Sequence, residues 1–495
     1  MMETQIPALI PLSYLAFAAL IALFGLWKKG LGYWLSILGS GFAAVFSTYG
    51  FFTQLGQDAI RYTFGGWQPP VGIEFVFDGL SSFFAMVINV VALLVIIHSG
   101  TISNIEFPKK KYPYYTLVML GLLGFNGMIL TGDLFNLYVF LEISSLASYG
   151  LVALGDKKAP YSAYRYLLIG TIGGTLYLLG VGLMYTITGT LNMMDMAAML
   201  PQLMDSNVAV GGLLFMVIGM GVKAAMFPVH GWLPDAYTNA ASSSTALIAP
   251  IGTKVAAYVM MRVMLYVFGL SVIEQWLQPF GLLIGTLASV GILYGSIMAI
   301  AQTELKRMLA FSSVSQIGYI IMGFSLGNPV GYAGALLHVL NHAVMKACLF
   351  LVAGNLRAKE GHTDISKFDH TYRKKYPGTM LWFSVAAISM IGLPPLAGFF
   401  SKWYLALGTI ENNNWVFLAV ILASSLLNAV YFFRVLEKVY MRNPEKGEES
   451  EMAPVTSNEV GGSMLIPTAI LGIALFAIGF ANAAIASTLM GFFPN

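Results

Sequence analysis

Long apolar segments alternate with short polar connections along almost the whole chain. Windows of about 20 apolar residues, the length a helix needs to cross a membrane, predict about 14 spanning helices. They cover residues 6–27, 31–54, 78–99, 112–131, 133–153, 163–188, 207–229, 244–269, 278–302, 308–325, 330–356, 380–409, 414–440 and 463–492. Residues 61–77, with aromatic and polar residues about Gly-Gly and Pro-Pro, predict a short exposed hairpin. We therefore expect an all-α polytopic membrane protein.

Composition excludes a soluble protein. Of the 495 residues, 57% are hydrophobic and only 10% are charged, which leaves too little polar surface for a soluble chain of this size. The net charge of +3 is small, so no basic surface for nucleic acid is expected. The single cysteine, Cys348, excludes an internal disulfide and a cysteine-ligated cluster, and we expect no cofactor. Because residues 1–7 lack a basic residue, no cleavable signal sequence is expected.

Basic residues are concentrated in alternate connections between the predicted spans. The odd connections carry Lys28, Lys29, Lys109, Lys110, Lys111, Lys157, Lys158, Lys306, Arg307, Arg357, Lys359, Lys367, Arg373, Lys374, Lys375, Arg442 and Lys446. The even connections carry almost none besides Arg61, and the connection after span seven carries none. Because Lys and Arg are retained on the cytoplasmic side, we expect a cytoplasmic (inner) membrane protein with both termini outside and residues 442–457 as a cytoplasmic linker.

Two predicted spans combine a lysine with prolines and small residues. Residues 217–235 (VIGMGVKAAMFPVHGWLPD) contain Lys223, and residues 391–404 (IGLPPLAGFFSKWY) contain Lys402. A charge at the membrane centre costs roughly 3 kcal/mol or more and proline breaks a helix, so both segments must face protein or a wet cavity. We predict broken helices in spans 7 and 12.

The two broken spans also predict an internal repeat. They lie five spans apart, so they cross the membrane in opposite directions, which favours two inverted five-helix repeats. The predicted division is residues 1–111 for helices 1–3 with the external hairpin, 112–269 for the first repeat (spans 4–8), 270–440 for the second (spans 9–13), and 441–495 for the linker and last helix.

Glu142 lies about nine residues into span five, without a basic residue nearby in sequence. A buried carboxylate is protonated or paired, and Lys223 is its most economical partner. Separating the pair would make the buried ammonium costly and favour release of its proton, so the pair could couple a movement to proton release. A static salt bridge between two helices is the alternative.

Span eleven carries His338, His342 and Lys346 at spacings of four. That spacing places the three groups on one helix face over about 12 Å. Because histidine accepts and releases protons near neutral pH, the stripe indicates a proton wire. Two histidines four apart could also bind zinc, but no third ligand accompanies them, so no metal site is expected.

Lys254, deep in span eight, and Lys402 extend this set into a row of ionisable groups. Arg262, eight residues after Lys254, is expected to snorkel to the interface. The serines expected to hold water in span ten are Ser312, Ser313 and Ser315. The residues expected to cap helices or line the first break are Asp78, Asp133, His230 and Asp235.

Five segments in this order resemble a known family. They are DLFNLYVFLE (133–142), KAAMFPVHGWLPDA (223–236), LKRMLAFSSVSQIG (305–318), HVLNHAVMKA (338–347) and GLPPLAGFFSK (392–402). The chain resembles, along essentially its whole length, the antiporter-like subunits of Mrp-type sodium/proton antiporters, respiratory complex I and membrane-bound hydrogenases. The resemblance implies 14 helices, the inverted repeat and both breaks.

The resemblance also implies roles for the row. Glu142 and Lys223 would be a coupled acid and base, Lys254 and the histidine face a relay, and Lys402 the terminal proton site. Length and Lys402 fit the D-type member of Mrp antiporters and its hydrogenase counterpart, since one complex I paralogue has a glutamate there. Tyr237 and Gln316 stand where relatives often carry histidine, and Gln316 cannot carry a proton.

The expected function is proton translocation within a multisubunit Mrp-type sodium/proton antiporter. An ion-pumping subunit of a membrane-bound hydrogenase or complex I-like redox complex is the alternative. The expected partners are other membrane subunits, protons, sodium in the antiporter case, and the lipid bilayer. A carrier for an organic solute would need a substrate pocket, and no aromatic or charged cluster off the lysine row predicts one.

Overall fold

The computed structural model describes residues 3–25, 30–203, 205–441 and 456–494, and helices account for most of them. The helices are α1 (Ile6–Phe24), α2 (Leu31–Gln54), α3 (Gly79–Glu106), α4 (Lys111–Leu130), α5 (Leu134–Ala153), α6 (Ala159–Thr188), α7 (Met193–Met199), α8 (Asn207–Ala224), α9 (Leu233–Asn239), α10 (Ser242–Met261), α11 (Leu270–Ile300), α12 (Leu305–Ser325), α13 (Pro329–Glu360), α14 (Tyr372–Lys375), α15 (Pro377–Ile391), α16 (Ala397–Glu411), α17 (Trp415–Leu436), α18 (Gly462–Phe480) and α19 (Asn482–Met490). The all-α prediction is confirmed.

Within the described ranges, 13 helices are long and apolar enough to cross a membrane. The predicted twelfth span is instead divided into the shorter apolar helix α15 and helix α16. The expectation of about 14 crossings is therefore confirmed. The five-helix repeats and the domain boundaries stay predictions. Lys28, Lys29, Arg442, Lys446 and most of the predicted linker lie outside the described residues.

The predicted hairpin is present between α2 and α3. Strands β1 (Ile60–Thr63) and β2 (Glu74–Phe77) pair antiparallel, with Ile60 opposite Phe77 and Thr63 opposite Glu74. Its first strand carries Arg61, which forms an ion pair of 2.8 Å with Glu74 on the second. The hairpin thus satisfies its own charges.

Both predicted helix breaks are present. At each break the helix ends, and the next residue has a left-handed backbone conformation. Helix α8 ends at Ala224, and Ala225 has φ 56°. Helix α15 ends at Ile391, and Gly392 has φ 92°. The prolines that follow cannot donate a backbone hydrogen bond, so neither helix continues. The first break comes five residues before the predicted end of span seven at residue 229.

Helix α13 is, together with α12, the most enclosed of the described long helices, and 94% of its apolar window is buried. It contacts α3, α10, α12, α15, α16, α18 and α19. Helix α10, which carries Lys254, is likewise interior, with 89% of its window buried. The two helices that carry the middle of the predicted row therefore form the centre of the bundle.

Glycines bring α6 and α8 into backbone contact. A Cβ atom at Gly219 would lie 2.5 Å from the carbonyl oxygen of Gly173, and one at Gly180 would lie 2.6 Å from that of Gly212. Side chains at these positions would push the helices apart. This close approach of the two backbones sets the position of Lys223, which lies on α8, relative to α6.

Candidate ion pathway

The carboxylate of Glu142 and the ammonium of Lys223 lie together, as the sequence predicts. The Lys223 Nζ is 4.0 Å from Glu142 Oε1, and it donates hydrogen bonds to Ser145 Oγ at 2.7 Å and to Tyr149 OH at 3.2 Å. The three partners lie three and four residues apart on α5, so one helix face presents them all. Lys223 also occupies the last turn of α8, where the helix dipole favours a cation.

Glycines on α6 provide the room for this cluster. A Cβ atom at Gly174 would overlap Glu142 Oε1, and one at Gly170 would overlap the hydroxyl of Tyr149. The Glu142 side chain keeps 28% of its surface exposed, whereas that of Lys223 keeps 8%. Sequence reasoning missed these two glycines, although their spacing of four on one apolar span was a usable signal.

Lys254 is fully buried on α10. Its Nζ donates to the Ala249 carbonyl oxygen at 2.7 Å and to Thr253 Oγ at 3.4 Å, both on its own helix. Among the residues that the structure describes, no carboxylate lies within 4.0 Å of it. Lys254 therefore depends on neutral oxygens, unlike Lys223.

The predicted stripe on α13 forms one connected face. The rings of His338 and His342 stack with centroids 5.9 Å apart, and His338 Nδ1 is 2.9 Å from Ser401 Oγ on α16. Lys346 Nζ donates to the Leu309 carbonyl oxygen at 2.6 Å and to Ser312 Oγ at 2.5 Å, both on α12. All three side chains are fully buried.

Lys254 and Lys402 lie on α10 and α16, two helices that both contact α13. Ser401, which contacts His338, precedes Lys402 directly in α16. The structure thus places Lys254 and Lys402 on helices that pack against the helix of the stripe.

Several buried polar atoms of α12 and α13 have no hydrogen-bond partner within the described part of the chain. They are His338 Nε2, both ring nitrogens of His342, Gln316 Oε1 and Asn341 Oδ1. Buried polar atoms usually bind a protein group or an ordered water. Ordered water is a suitable partner for these atoms.

Lys402 lies beside the second break. Its Nζ donates to the carbonyl oxygens of Met390 at 3.0 Å and Ile391 at 2.9 Å, and to Ser425 Oγ at 3.2 Å. The two carbonyls end α15, where the helix dipole is negative. No carboxylate of the described residues lies within 4.0 Å of this lysine.

Two charged residues outside the row form ion pairs between helices. Arg262 does not simply snorkel to the interface, because its side chain is 8% exposed and pairs with Asp78 at 2.6 Å. Asp235 joins three helices, since it accepts from Arg165 on α6 at 2.6 Å and from Arg307 on α12 at 2.8 Å.

Lys306 was counted among the basic loop residues but is buried. Its Nζ donates to the Ala240 carbonyl oxygen, just after α9, at 2.5 Å. A loop lysine next to an arginine gave no sign of burial.

Of the predicted caps, Asp78 accepts a hydrogen bond from the backbone N–H of Ser81, and Asp133 accepts one from the backbone N–H of Asn136. His230 lies against the rings of Phe227 and Tyr294.

The fold and the buried row define a polytopic helical membrane protein whose ionisable groups lie inside the bundle. Residues 131–428 match the family described as NADH:quinone oxidoreductase/Mrp antiporter, transmembrane. The chain belongs to this family, and it is an antiporter-like subunit of the Mrp and complex I superfamily.

Two curated relatives and one solved structure define the similarity. The chain is 45% identical over 464 residues to the N-type subunit of the NADH-quinone oxidoreductase of Desulforudis audaxviator, covering 92% of this chain and 90% of that protein. It is 33% identical over 419 residues to the D-type subunit of the Na(+)/H(+) antiporter of Alkalihalophilus pseudofirmus, covering 84% and 82%. A chain of an archaeal membrane-bound sulfane sulfur reductase complex superposes with a TM-score of 0.89 at 29% identity, covering 98% of this chain and 96% of that one.

The family resemblance is thus confirmed, while the assignment to the D type of Mrp antiporters stays a prediction. The NADH-quinone oxidoreductase relative is more similar to this chain than the Na(+)/H(+) antiporter relative is. Lys402 carried the expectation of the D type, whereas sequence identity is higher to the NADH-quinone oxidoreductase subunit.

Proposed function

We propose that this chain translocates protons across a membrane as one subunit of a multisubunit complex. The path consists of Glu142, Lys223, Lys254, His338, His342, Lys346 and Lys402. The observation that supports the proposal is that the four lysines and two histidines of this path are buried, with Glu142 4.0 Å from the first of them. Intramembrane ionisable residues are costly and therefore mark ion pathways by default.

The step that couples movement to proton release lies at the first pair. While Glu142 faces Lys223, the carboxylate offsets the cost of a buried ammonium. When the carboxylate moves away, Ser145 and Tyr149 still hold the lysine nitrogen, but they carry no charge to balance it. The charged form becomes costly, and the proton leaves.

The released proton then moves along the interior. Lys254 accepts it, and the two histidines pass it on, because an imidazole can accept a proton at one nitrogen and release one at the other. Water held by Gln316 and the serines of α12 completes the hydrogen-bonded chain. Lys402 receives the proton last and releases it at the second break.

The energy comes from partner subunits or from an opposing ion gradient. Similarity of 45% to an NADH-quinone oxidoreductase subunit supports a redox-driven complex. Lys402 and similarity of 33% to an Na(+)/H(+) antiporter subunit support the Mrp-type assembly, in which sodium moves against protons. In either case we place the chain in the cytoplasmic membrane with both termini outside, following its basic connections.

The proposal is tested with the assembled complex in proteoliposomes that contain a pH-sensitive dye. Lys223→Ala should abolish proton translocation while the complex still assembles. Lys359→Ala is the control, because this exposed lysine donates a hydrogen bond to Asn458 and lies outside the proposed path. Unchanged translocation in Lys223→Ala would remove the pair from the mechanism.

Purification of the complex from its native membrane separates the two assemblies. Partners that carry iron-sulfur or nickel-iron centres indicate the redox complex. A set of small membrane subunits without such centres indicates the antiporter.

A further inference from the structure

A cavity of about 550 Å³ lies where the first four helices end or begin. Its walls come from the end of α1, the start of α2, the last turns of α3, the start of α4 and the connection between α3 and α4. The ends of membrane-spanning helices lie near the level of the lipid headgroups. The volume falls within the roughly 300–1,000 Å³ that is typical of small-molecule sites.

Two lysines line this cavity without a carboxylate to balance them. Lys109 is exposed in the connection between α3 and α4, and Lys111 is the first residue of α4. The Nζ of Lys111 donates to the side-chain oxygen of Asn104, which also lines the cavity. Among the described residues, no carboxylate lies within 4.0 Å of either lysine. Both positive charges are therefore available to an anion.

The acidic residue nearest to these lysines in sequence, Glu106, is bound to another helix. Its carboxylate accepts hydrogen bonds from the backbone N–H groups of Ser242 at 2.6 Å and Ser243 at 3.1 Å. It also accepts one from the Ser243 hydroxyl at 2.6 Å. Both serines are in the first turn of α10. Glu106 thus stabilises the start of α10 and does not line the cavity of the lysines.

Aromatic side chains form much of the remaining wall. Trp34 is 63% exposed and Tyr112 is 38% exposed. The ring of Tyr33 lies between those of Trp34 and Tyr115, with centroid distances of 5.2 and 6.0 Å. Tryptophan and tyrosine are enriched at the headgroup level of membranes, where an apolar ring and a polar tip are both accommodated. Exposed aromatic rings beside unpaired lysines are the composition expected of a lipid headgroup site.

Glycines provide the room beside these rings. A Cβ atom at Gly100 would lie 2.5 Å from the ring of Tyr33, and one at Gly32 would lie 3.6 Å from the ring of Tyr115. The Tyr115 hydroxyl lies 3.1 Å from that of Ser103, which is also part of the cavity wall. Because the glycines lack side chains, the tyrosine rings lie against the helix backbones and the space next to them stays open.

We propose that this cavity binds the phosphate headgroup of an anionic phospholipid, with Lys109 and Lys111 as its counter-charges. A zwitterionic lipid carries its own ammonium, so two unpaired lysines favour a lipid with a net negative charge. The exposed rings of Trp34 and Tyr112 offer apolar surface that acyl chains cover and a free phosphate ion does not. The inference is independent of proton translocation, because no residue of the ionisable row lines this cavity.

The test uses the assembled complex in detergent and a phosphatidylglycerol that carries a photoreactive group beside its headgroup. Crosslinked residues are identified by mass spectrometry, and we expect them within residues 104–112. Unlabelled phosphatidylglycerol should compete for the site. Phosphatidylcholine with the same acyl chains, and inorganic phosphate, should each compete at least about tenfold less well, because neither combines net negative charge with acyl chains.

Variants test the role of the two lysines in the same assay. Lys109→Gln and Lys111→Gln should each raise the half-saturating lipid concentration about fivefold, and the double variant roughly 25-fold. Lys110→Gln is the matched control, because this exposed lysine lies between them in sequence and does not line the cavity. Lys110→Gln/Lys157→Gln removes the same total charge as the double variant from two exposed lysines outside the cavity. Both controls should bind the lipid like the parent.

Four results would overturn the inference. Equal competition by phosphatidylcholine would show that net negative charge is not required. Equal competition by inorganic phosphate would show an anion site without a lipid. Losses in Lys110→Gln as large as those in Lys109→Gln and Lys111→Gln would show a general effect of surface charge. A density map of the complex in which a partner chain fills the cavity would replace the lipid by a protein. Competition in the parent needs no variant, so it decides the matter even if the double variant does not assemble.

Discussion

The two broken helices hold their lysines in opposite ways. Lys223 ends the helix before its break and faces a carboxylate, Glu142, at 4.0 Å. Lys402 lies in the helix after its break and reaches back to two carbonyl oxygens, of Met390 and Ile391, at 3.0 and 2.9 Å. One ammonium is balanced by a side chain that can move, the other by backbone that is fixed in a helix end.

This difference indicates a division of labour. A carboxylate on a rotatable side chain can approach or leave its partner, so the first break suits the conversion of a movement into a change of charge. Helix-end carbonyls keep their position, so the second break suits a site where protons are held and released in one geometry.

The largest effect on proton translocation is expected from a change at Glu142, the carboxylate partner of Lys223. Glu142→Gln keeps the shape of the side chain but leaves Lys223 without a counter-charge, and breaking a buried pair costs roughly 3–5 kcal/mol. We expect proton translocation to fall at least about 100-fold, because 1.4 kcal/mol corresponds to a factor of about ten. Ser425→Ala at the second break should lower it less than about threefold, since both carbonyls remain. Equal losses of translocation in Glu142→Gln and Ser425→Ala, measured in proteoliposomes, would contradict the difference between the two breaks.

The second prediction concerns a variant that displaces the Glu142 carboxylate without changing its charge. A methyl group at Gly174 would overlap Glu142 Oε1, so Gly174→Ala should push the carboxylate away and lower translocation about tenfold, as for one lost hydrogen bond. Gly182→Ala on the same helix meets no atom of the described structure within 4 Å and should behave as the parent. A translocation rate in Gly174→Ala equal to that of the parent would show that translocation does not depend on the distance between Glu142 and Lys223.

The smallest effects concern the two left-handed residues. Gly392→Ala should lose about 1–2 kcal/mol of stability, because a Cβ atom disfavours this conformation. That atom would also lie 3.1 Å from Lys402 Cδ. Ala225→Gly should gain up to about 1 kcal/mol for the same reason in reverse. Thermal unfolding in detergent measures the stability of both variants. Stability changes of the same sign would contradict the conclusion that a Cβ atom strains the backbone at these two positions.

Much of this arrangement could be predicted because helical spacing fixes which residues share a face. The stripe of His338, His342 and Lys346 and the two breaks follow from the order of residues in single segments. The pairing of Glu142 with Lys223 followed from charge alone, since a buried carboxylate needs a partner.

Contacts between segments distant in sequence could not be predicted in this way. The room that Gly174 leaves for Glu142, the two arginines that share Asp235 and the burial of Lys306 depend on which helices lie side by side. Apolar periodicity gives the inward face of a helix but not its neighbour. Arg262 was misjudged for the same reason, because its partner Asp78 lies on a different helix.

The central claim is that protons cross the bundle laterally from Lys223 to Lys402 through Lys254. The most direct measurement is proton translocation by the assembled complex with Lys254→Met, which removes the charge but keeps much of the buried volume. We predict loss of translocation with normal assembly, and the parent rate in Lys359→Met. Translocation at the parent rate in Lys254→Met would contradict the claim, because the proposed path passes from Lys223 to the histidine stripe through Lys254.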